Sequence, residues 1–370
     1  MKILITANTS WNLIHFRKGL IEGLLEKSFN VITVAPKDRY TDQLDTLVPK
    51  TYQMPIPGHT TNPITDLVVL FRYLRVLLLE RPDIVLAYTV KSNIYCGIAT
   101  RILKIPIIPN ITGLGVFASK TIWLRSVMLF LYKLALHKRA FTFFQNDDDR
   151  DLFINLNLVT EERSLKIPGS GINLKEFSPQ PLPPKRIKNA RLQFYMIARV
   201  LKAKGVMEYL AAANILSGEA DFHLVGPIDE ANPDSVMFEE IENWVRDGVI
   251  EYHGQSDTVK EYIWLADCIV LPSYREGTPR ALLEAAACGK PIIATDVPGC
   301  RAVVDHNING LLCRPRDPGD LVRQMRLLID LTEEQRFMLG QAGRAKVESV
   351  FDEQVVINQY VQTIGKMHRW

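Results

Sequence analysis

Short apolar runs alternate along this chain with longer stretches in which apolar residues recur every three or four positions. Six runs in the first half are rich in β-branched and aromatic residues and lack a polar alternation, as expected of strands covered on both faces. They span residues 2–7, 30–35, 83–88, 105–111, 141–144 and 164–167. Helical patterns such as 17–27, 64–80 and 92–103 separate them. Repeated strand–helix units predict a doubly wound α/β fold with a parallel sheet.

A proline-rich segment at 178–190 interrupts this pattern, and its four prolines and several charges predict a linker. The strand–helix alternation then restarts. The predicted strands of the second half are residues 192–198, 221–225, 250–253, 267–271 and 291–295. We therefore expect two Rossmann-like domains, 1–177 and 191–351, facing across a cleft, which a length of 370 residues accommodates. Ligands of such sheets bind at the carboxyl ends of the strands.

Composition narrows the class of protein. Charged residues make up 23% and mean hydropathy is +0.01, which is the balance of a folded globular chain. The net charge of +3 is too small for a dedicated nucleic-acid binder. Residues 1–175 carry 22 basic and 14 acidic side chains, whereas residues 176–370 carry 22 and 27. This asymmetry suggests that the first half meets an anionic partner.

The cysteines and the apolar runs exclude two further classes. Five cysteines are an odd number and include no C-x-x-C pair, which argues against a disulfide framework or a cysteine-based zinc site and fits a reducing compartment. No uncharged apolar run approaches the roughly 18 residues of a membrane-spanning helix. The amino terminus is too short an apolar run for a signal peptide and is predicted to be the first strand.

The segment 272–291 carries the most specific chemistry. Glu276 lies in a loop after a predicted strand, and Gly277 allows close backbone approach there. Thr278 is predicted to cap a helix whose first residue is Pro279, so that the free N–H groups at the helix start suit a diphosphate. Glu284 then lies within the first two turns, within reach of a ribose diol. Either glutamate alone fits a solvated side chain better than a ligand-binding one, but the whole segment reverses this balance and favours a nucleotide site.

A basic loop at 198–205 follows the first strand of the second half and is the second candidate for ligand binding. Arg199 and Lys204 would point towards the same ligand, where two cations offset the charge that develops when a diphosphate leaves. Taken alone, this loop could also be an ordinary solvated basic loop.

These residues together resemble a known enzyme family. The chain resembles the retaining glycosyltransferases of family 4, which have the GT-B fold. The resemblance lies in the spacing of Glu276 and Glu284, in the pair Arg199 and Lys204, and in the segment 168–174. The resemblance implies that Glu284 holds the nucleotide ribose, that Glu276 contacts hydroxyls of the donor sugar, and that Arg199 and Lys204 bind the diphosphate. It also implies transfer with retention, no metal or other cofactor, and a last helix, 352–370, that packs back on the first domain.

Segments of the first half indicate a subfamily. Residues 15–17, 87–97, 110–115 and 143–146 resemble bacterial enzymes that build O-antigen, capsule or N-glycan precursors on undecaprenyl diphosphate. This implies a UDP-sugar donor, a HexNAc or related hexose, and a lipid-linked saccharide acceptor, at the cytoplasmic face of the membrane. Candidate acceptor-binding residues are His15, Arg17, Lys91 and Thr112.

Three features leave alternatives open. The first loop, 7–12, lacks the glycine pair that many family members place against the donor diphosphate. His15 is either a general base or a packing residue near a helix start. The acidic run 147–149 has the D-x-D pattern of metal-dependent transferases, or it opens a helix where acidic groups complement the macrodipole.

Two helical stretches, 67–80 and 122–139, combine apolar and aromatic residues with arginines and lysines. They are either interfacial helices at a membrane or core helices with solvated ends. The basic first half and an anionic lipid acceptor favour peripheral membrane binding.

Two other functions compete with transfer. A UDP-sugar 2-epimerase shares the two-domain architecture but would need acid and base side chains on both faces of the sugar. A non-catalytic nucleotide-sugar-binding protein would bind UDP without turnover. Net transfer of a sugar to an acceptor separates the first function from both.

Overall fold

The first parallel sheet has seven strands, and a computed structural model gives their bounds. That model describes residues 1–57, 62–113, 122–180, 191–230 and 232–367. The strands are β1 Lys2–Thr6, β2 Asn30–Ala35, β3 Lys50–Gln53, β4 Ile84–Tyr88, β5 Ile107–Ile111, β6 Thr142–Phe144 and β7 Ser164–Lys166. They pair in parallel in the order β3-β2-β1-β4-β5-β6-β7. The order reverses between β1 and β4, which is where ligands bind in doubly wound sheets.

Helices cover both faces of this sheet. They are α1 Ser10–Glu26, α2 Thr41–Leu47, α3 Pro63–Glu80, α4 Gly97–Leu103, α5 Ile122–Ala135 and α6 Asp147–Asn155. Helices α3, α4 and α5 share one hydrophobic core on one face, to which Tyr73, Ala99 and Met128 contribute. Helix α1 belongs to the core on the opposite face, through Leu13 and Leu20.

The second parallel sheet has six strands in the order β10-β9-β8-β11-β12-β13. They are β8 Leu192–Ile197, β9 Ala220–Val225, β10 Glu251–Tyr252, β11 Cys268–Leu271, β12 Ile292–Thr295 and β13 Leu311–Cys313. The helices are α7 Val206–Leu216, α8 Phe238–Arg246, α9 Val259–Leu265, α10 Arg280–Ala287, α11 Pro298–Val303, α12 Pro318–Asp330 and α13 Glu333–Val350. Here the order reverses between β8 and β11. Two parallel-sheet α/β units are the predicted fold class, which is confirmed.

The chain divides into one unit made of Met1–Ser170 with Glu353–Trp370 and a second unit of Gly171–Asp352. The sequence placed the first boundary at residue 177, but Ile172 and Phe177 are buried in the core of the second unit. The predicted boundary was based on the proline-rich segment, and proline content does not show whether Ile172 and Phe177 are buried. Of the predicted linker, residues 181–190 lie outside the described residues.

The last helix, α14 Glu353–Met367, completes the core of the first unit. It packs on α1 so closely that a Cβ added to Gly23 would lie 2.9 Å from the Ile357 side chain. Its Tyr360 is fully buried, and the Tyr360 hydroxyl accepts a hydrogen bond of 2.9 Å from Asn110 Nδ2 at the end of β5. The family resemblance implied this return of the chain.

The sequence missed two strands and part of a helix. Strands β3 and β13 are edge strands, and β3 is polar, because edges are protected from further pairing by short or charged strands. Helix α1 begins at Ser10, seven residues before its predicted start. Thr9 caps it by accepting a hydrogen bond of 3.0 Å from the Asn12 amide, a signal that the sequence contained.

Neither a membrane span nor a disulfide is present in the described parts of the chain. No helix there is long and apolar enough to cross a bilayer. All five cysteines are buried thiols.

Helix α13 crosses the turn after α10 at Gly340. A Cβ there would lie 1.9 Å from the Gly289 carbonyl oxygen, so Gly340→Ala forces the backbone apart. We expect a loss of about 1–3 kcal/mol in the free energy of unfolding, measured by urea denaturation. The control is Gly365→Ala in α14, where nothing lies within 4 Å. It should be neutral or gain up to about 1 kcal/mol from helix propensity. Equal stability of the two variants would contradict the close contact.

Candidate functional site

The loops after β8 and β11 lie against each other at the point where the strand order of the second sheet reverses. Gly205 has φ +77°, and a Cβ on it would lie 2.1 Å from the carbonyl oxygen of Pro272. The Tyr274 amide donates a hydrogen bond of 2.9 Å to the carbonyl of Ala203. Only glycine satisfies both the left-handed backbone and this contact. The contact sets the position of Lys204, which immediately precedes Gly205.

Lys204 and Glu276 form an ion pair across these two loops. Lys204 Nζ lies 2.5 Å from Glu276 Oε1, and the buried Ser273 hydroxyl donates to the same oxygen at 2.6 Å. The Glu276 side chain is 10% exposed and that of Lys204 is 23% exposed. Such shielding from water strengthens the attraction. The sequence predicted both charged residues, but it missed Ser273, whose only signal was its place in the same loop.

Glu284 lies in the second turn of α10, and its side chain is 11% exposed. Arg280, one turn earlier, donates from Nε to Glu284 Oε1 at 2.7 Å. Burial raises the pKa of the Glu284 carboxyl group, and the nearby Arg280 guanidinium partly opposes that rise. The structure thus gives this glutamate a cationic partner that the sequence analysis did not identify, although the i,i+4 spacing was visible.

The start of α10 differs from the prediction. The helix begins at Arg280, and Pro279 occupies the cap position, where it has no side-chain oxygen to offer. The predicted cap by Thr278, with Pro279 as the first helical residue, is therefore wrong by one residue. Gly277 is buried in the preceding loop, and a Cβ on Gly299 would lie 2.3 Å from its carbonyl oxygen. The start of α11 thus supports the loop that carries Glu276.

Arg199 follows β8 and is exposed. Within the described part of the chain, its guanidinium forms no hydrogen bond and no ion pair. Lys204, by contrast, is held by Glu276. Of the two predicted diphosphate-binding cations after this strand, Lys204 is restrained by an ion pair and Arg199 is not.

In the first unit, Arg17 is buried and not at the surface. It is 3% exposed, and its guanidinium carbon lies 4.1 Å from the centroid of the Tyr88 ring. Stacking on an aromatic face is favourable for a guanidinium. The prediction of Arg17 as an acceptor-binding residue rested on charge, which does not reveal this burial.

Two other candidate acceptor residues already have partners. His15 Nδ1 lies 3.1 Å from the Trp11 carbonyl, and its ring stacks on the Trp11 indole at 5.0 Å. Lys91 Nζ pairs with Asp66 of α3 at 2.7 Å, and both side chains are largely buried. These contacts are those of a packing residue for His15, one of its two predicted roles, and the ion pair with Asp66 neutralises Lys91.

Thr112 is exposed directly after β5. The rest of its predicted segment, from residue 114, lies outside the described residues. The acidic run 147–149 opens α6, where the Asp149 amide donates to Asn146 Oδ1 at 2.8 Å and Asp147 pairs with Lys166 at 2.5 Å. This matches the helix-start interpretation of that run.

The carboxyl edge of the first sheet holds buried polar atoms that have no hydrogen-bond partner among the described residues. They are Asn12 Oδ1, Arg17 Nε, Asn93 Oδ1 and Asn110 Oδ1. Each such atom costs about 1–3 kcal/mol if nothing binds it. Thr89, directly after β4, has φ +71°, a strained conformation for a β-branched residue. Unpaired groups and strain cluster at functional sites, and the sequence analysis singled out neither as a signal.

The comparisons with known proteins agree with this architecture. The family described as "Glycosyl transferases group 1" matches residues 182–346, and "Glycosyl transferase 4-like" matches residues 2–147. The N,N'-diacetylbacillosaminyl-diphospho-undecaprenol alpha-1,3-N-acetylgalactosaminyltransferase of Campylobacter jejuni is 30% identical, over 99% of both chains. The UDP-Gal:alpha-D-GlcNAc-diphosphoundecaprenol alpha-1,3-galactosyltransferase of Escherichia coli is 24% identical, over 75% of this chain and 74% of that one.

Among solved structures, Anabaena HepE in complex with UDP-glucose superposes with a TM-score of 0.80 at 16% identity. The superposition covers 99% of this chain and 100% of that one, and it shows the shared fold. The chain belongs to the group 1, GT4-like glycosyltransferases with the GT-B fold, and it is an enzyme of the hexosyltransferase class.

Proposed function

We propose that this enzyme transfers a HexNAc or related hexose, with retention, from a UDP-sugar to an undecaprenyl-diphosphate-linked saccharide. The partly buried Lys204–Glu276 ion pair carries the proposal for the donor. The relatives in C. jejuni and E. coli, whose names specify diphosphoundecaprenol-linked acceptors, support the acceptor class. The E. coli name also specifies a UDP-sugar donor.

The second unit offers the chemistry that a nucleotide diphosphate requires. Arg199 and Lys204 follow β8, and Glu276 follows the adjacent β11. Charge-assisted hydrogen bonds to a diphosphate contribute about 1.5–3 kcal/mol each. Glu276 holds Lys204 in place before substrate arrives, so little ordering is needed on binding. In this proposal Glu276 also accepts a hydrogen bond from a donor-sugar hydroxyl, and Glu284 accepts from the ribose.

The proposed step breaks the bond between sugar C1 and the diphosphate oxygen and forms a bond from C1 to an acceptor hydroxyl on the same face. The hydroxyl proton passes to the departing phosphate oxygen. Negative charge grows on that diphosphate as the bond breaks, and Arg199 and Lys204 stabilise it electrostatically. No side chain is required as a base, which fits the packing contacts of His15.

The first unit supports binding of a saccharide acceptor. A sugar ring offers many hydroxyl donors and acceptors, and a cluster of polar side chains, Asn12, Asn93 and Asn110, lies at this sheet edge with buried oxygens that lack a partner among the described residues. The strained Thr89 lies beside them at the end of β4. Thr112 is exposed at the end of the neighbouring strand β5, whereas Lys91 is engaged by Asp66.

The first unit also carries an apolar outer surface suited to a membrane. Helix α3 buries Val69 and Tyr73, yet its opposite side is also apolar. On that opposite side of α3, the exposed fractions of the apolar side chains are 75% for Ile64, 51% for Leu67, 61% for Phe71, 58% for Leu78 and 67% for Leu79.

Helix α5, which packs on the same sheet face, also exposes large apolar side chains. On this helix Trp123 is 72% and Phe130 is 61% exposed. Exposed cations intersperse these residues, namely Arg72, Arg75, Arg125 and Lys133. We infer that α3 and α5 dock on an anionic membrane face, as an interfacial amphipathic surface does.

The proposal is tested by incubating the purified enzyme with a panel of UDP-, GDP- and ADP-sugars, with and without an undecaprenyl-diphosphate saccharide. We expect UDP release from one UDP-sugar, stimulated by the acceptor, and a sugar–acceptor product.

Lys204→Met should lower transfer about 10²–10³-fold, because a preorganised charge is lost. Lys202→Met, in the same turn but exposed, is the matched control and should retain activity. A wild-type rate in Lys204→Met would refute the diphosphate role.

Glu284→Gln should weaken UDP binding about 10-fold or more, because the ribose hydroxyls then donate to a neutral amide and no longer to a charged carboxylate. Isothermal titration calorimetry with UDP measures this change. The companion variant Glu276→Gln should reduce the rate of sugar transfer by a larger factor than it reduces UDP affinity, since Glu276 contacts the sugar in this proposal. If Glu284→Gln binds UDP as the wild type does, the ribose role is excluded.

Membrane docking is tested by sedimentation with anionic phospholipid vesicles. The double variant Phe71→Ser with Leu78→Ser removes exposed apolar side chains, so vesicle binding should fall about 10-fold or more while the thermal midpoint holds. The control changes Ile215 of α7 and Leu327 of α12 to serine, since these are 55% and 48% exposed in the second unit. Equal loss of binding in both double variants would count against docking through α3.

A further inference from the structure

Three potential metal ligands and an aromatic ring meet on one face of the second sheet, outside the donor residues. Tyr195 of β8, His223 of β9 and Glu251 of β10 are partners in neighbouring strands. Residues paired across strands project to the same face, so these three form one row. His253 follows β10, two residues after Glu251, and therefore adds its side chain to the same side.

The ligand atoms of this row are spaced as a bound ion requires. His223 Nδ1 lies 3.1 Å from His253 Nε2 and 3.5 Å from Glu251 Oε2, and the last two atoms are 4.0 Å apart. A tetrahedral zinc ion bound at about 2.0–2.1 Å needs ligand atoms about 3.3 Å apart. The three measured separations, 3.1 to 4.0 Å, bracket that value.

The tautomer of His223 also favours a metal. Gln193 Nε2 donates to Asp221 Oδ2 at 2.7 Å and to the Arg191 carbonyl at 3.2 Å, which fixes the orientation of the amide. Gln193 Oε1 therefore faces His223 Nε2 at 2.7 Å and accepts a hydrogen bond from its N–H group. The lone pair of His223 is then on Nδ1, the nitrogen that faces His253 Nε2 at 3.1 Å and lies 3.5 Å from Glu251 Oε2. Metal-binding histidines are held in the same way, by an acceptor on the second ring nitrogen.

Burial grades from the inside of the cluster to its mouth. The His223 side chain is 7% exposed, that of His253 is 23% exposed, and that of Glu251 is 73% exposed. The Tyr195 ring stacks on the His223 imidazole at 4.1 Å, which restricts its rotation. Solvent reaches the cluster from the Glu251 side, where a water could complete a fourth position.

We propose that His223, Glu251 and His253 form a binding site for a divalent transition-metal ion of the zinc type. Nitrogen and carboxylate ligands in this number select zinc and its neighbours over magnesium or calcium. The ion would tie β10, an edge strand of two residues, to β9. The ion would lie apart from the residues proposed to bind the donor, so its role would be to stabilise this edge of the sheet.

The alternative use of the same contacts is a hydrogen bond between the two imidazoles, with no metal. Full-length enzyme stripped of metal with a chelator is titrated with Zn²⁺ by calorimetry and with Co²⁺ by visible absorption. We expect one ion per chain, the absorption bands of low-symmetry Co²⁺, and a higher thermal midpoint with Zn²⁺. Absence of saturable one-to-one binding in the wild type would overturn the proposal in favour of the hydrogen bond.

Variants assign the binding to this cluster. His253→Ala and Glu251→Gln change partly or largely exposed side chains, and each should weaken Zn²⁺ binding about 10-fold or more. His306→Ala, an exposed histidine elsewhere in the same unit, is the matched control and should bind as the wild type does. Gln193→Leu removes the acceptor for His223 Nε2 and should weaken binding about 10–100-fold. Unchanged affinity in His253→Ala would place the ion elsewhere and refute the site.

Discussion

The backbone contact between Gly205 and Pro272 is the constraint on which the proposed donor site depends. It brings together the loops that follow β8 and β11, the two adjacent parallel strands between which the strand order of the sheet reverses. Any side chain at position 205 would separate them, and Lys204 would then lose Glu276. The charge that we propose stabilises a leaving diphosphate is thus positioned by a steric contact in the main chain, with Ser273 and the start of α11 supporting the glutamate from the other side.

The sequence was informative where function is encoded locally. The spacing of Glu276 and Glu284 and the basic loop around Arg199 and Lys204 each lie between one strand and the next helix, so the α/β pattern alone placed them at a sheet edge. It was less informative about burial. Arg17 looked like a surface cation, but it lies beneath the end of β4 against Tyr88, because an aromatic ring distant in sequence accommodates it.

Long-range register explains the other omissions. Gln193, His223 and Glu251 are separated by about 30 residues each and become neighbours only through the pairing of β8, β9 and β10. A search by cysteine count or short ligand spacing does not find such a cluster. The edge strands β3 and β13 were missed for a related reason, since the short or polar composition that protects an edge also removes the hydrophobic pattern of a strand.

The return of α14 to the first unit has a consequence for folding during synthesis. Residues 1–170 emerge from the ribosome long before residues 353–367, which supply Ile357 and Tyr360 to their core. Until then the outer side of α1 and the end of β5 stay uncovered, whereas the second unit is continuous in sequence. The first unit therefore cannot complete its core until residues 353–367 have been translated, after the whole of the second unit.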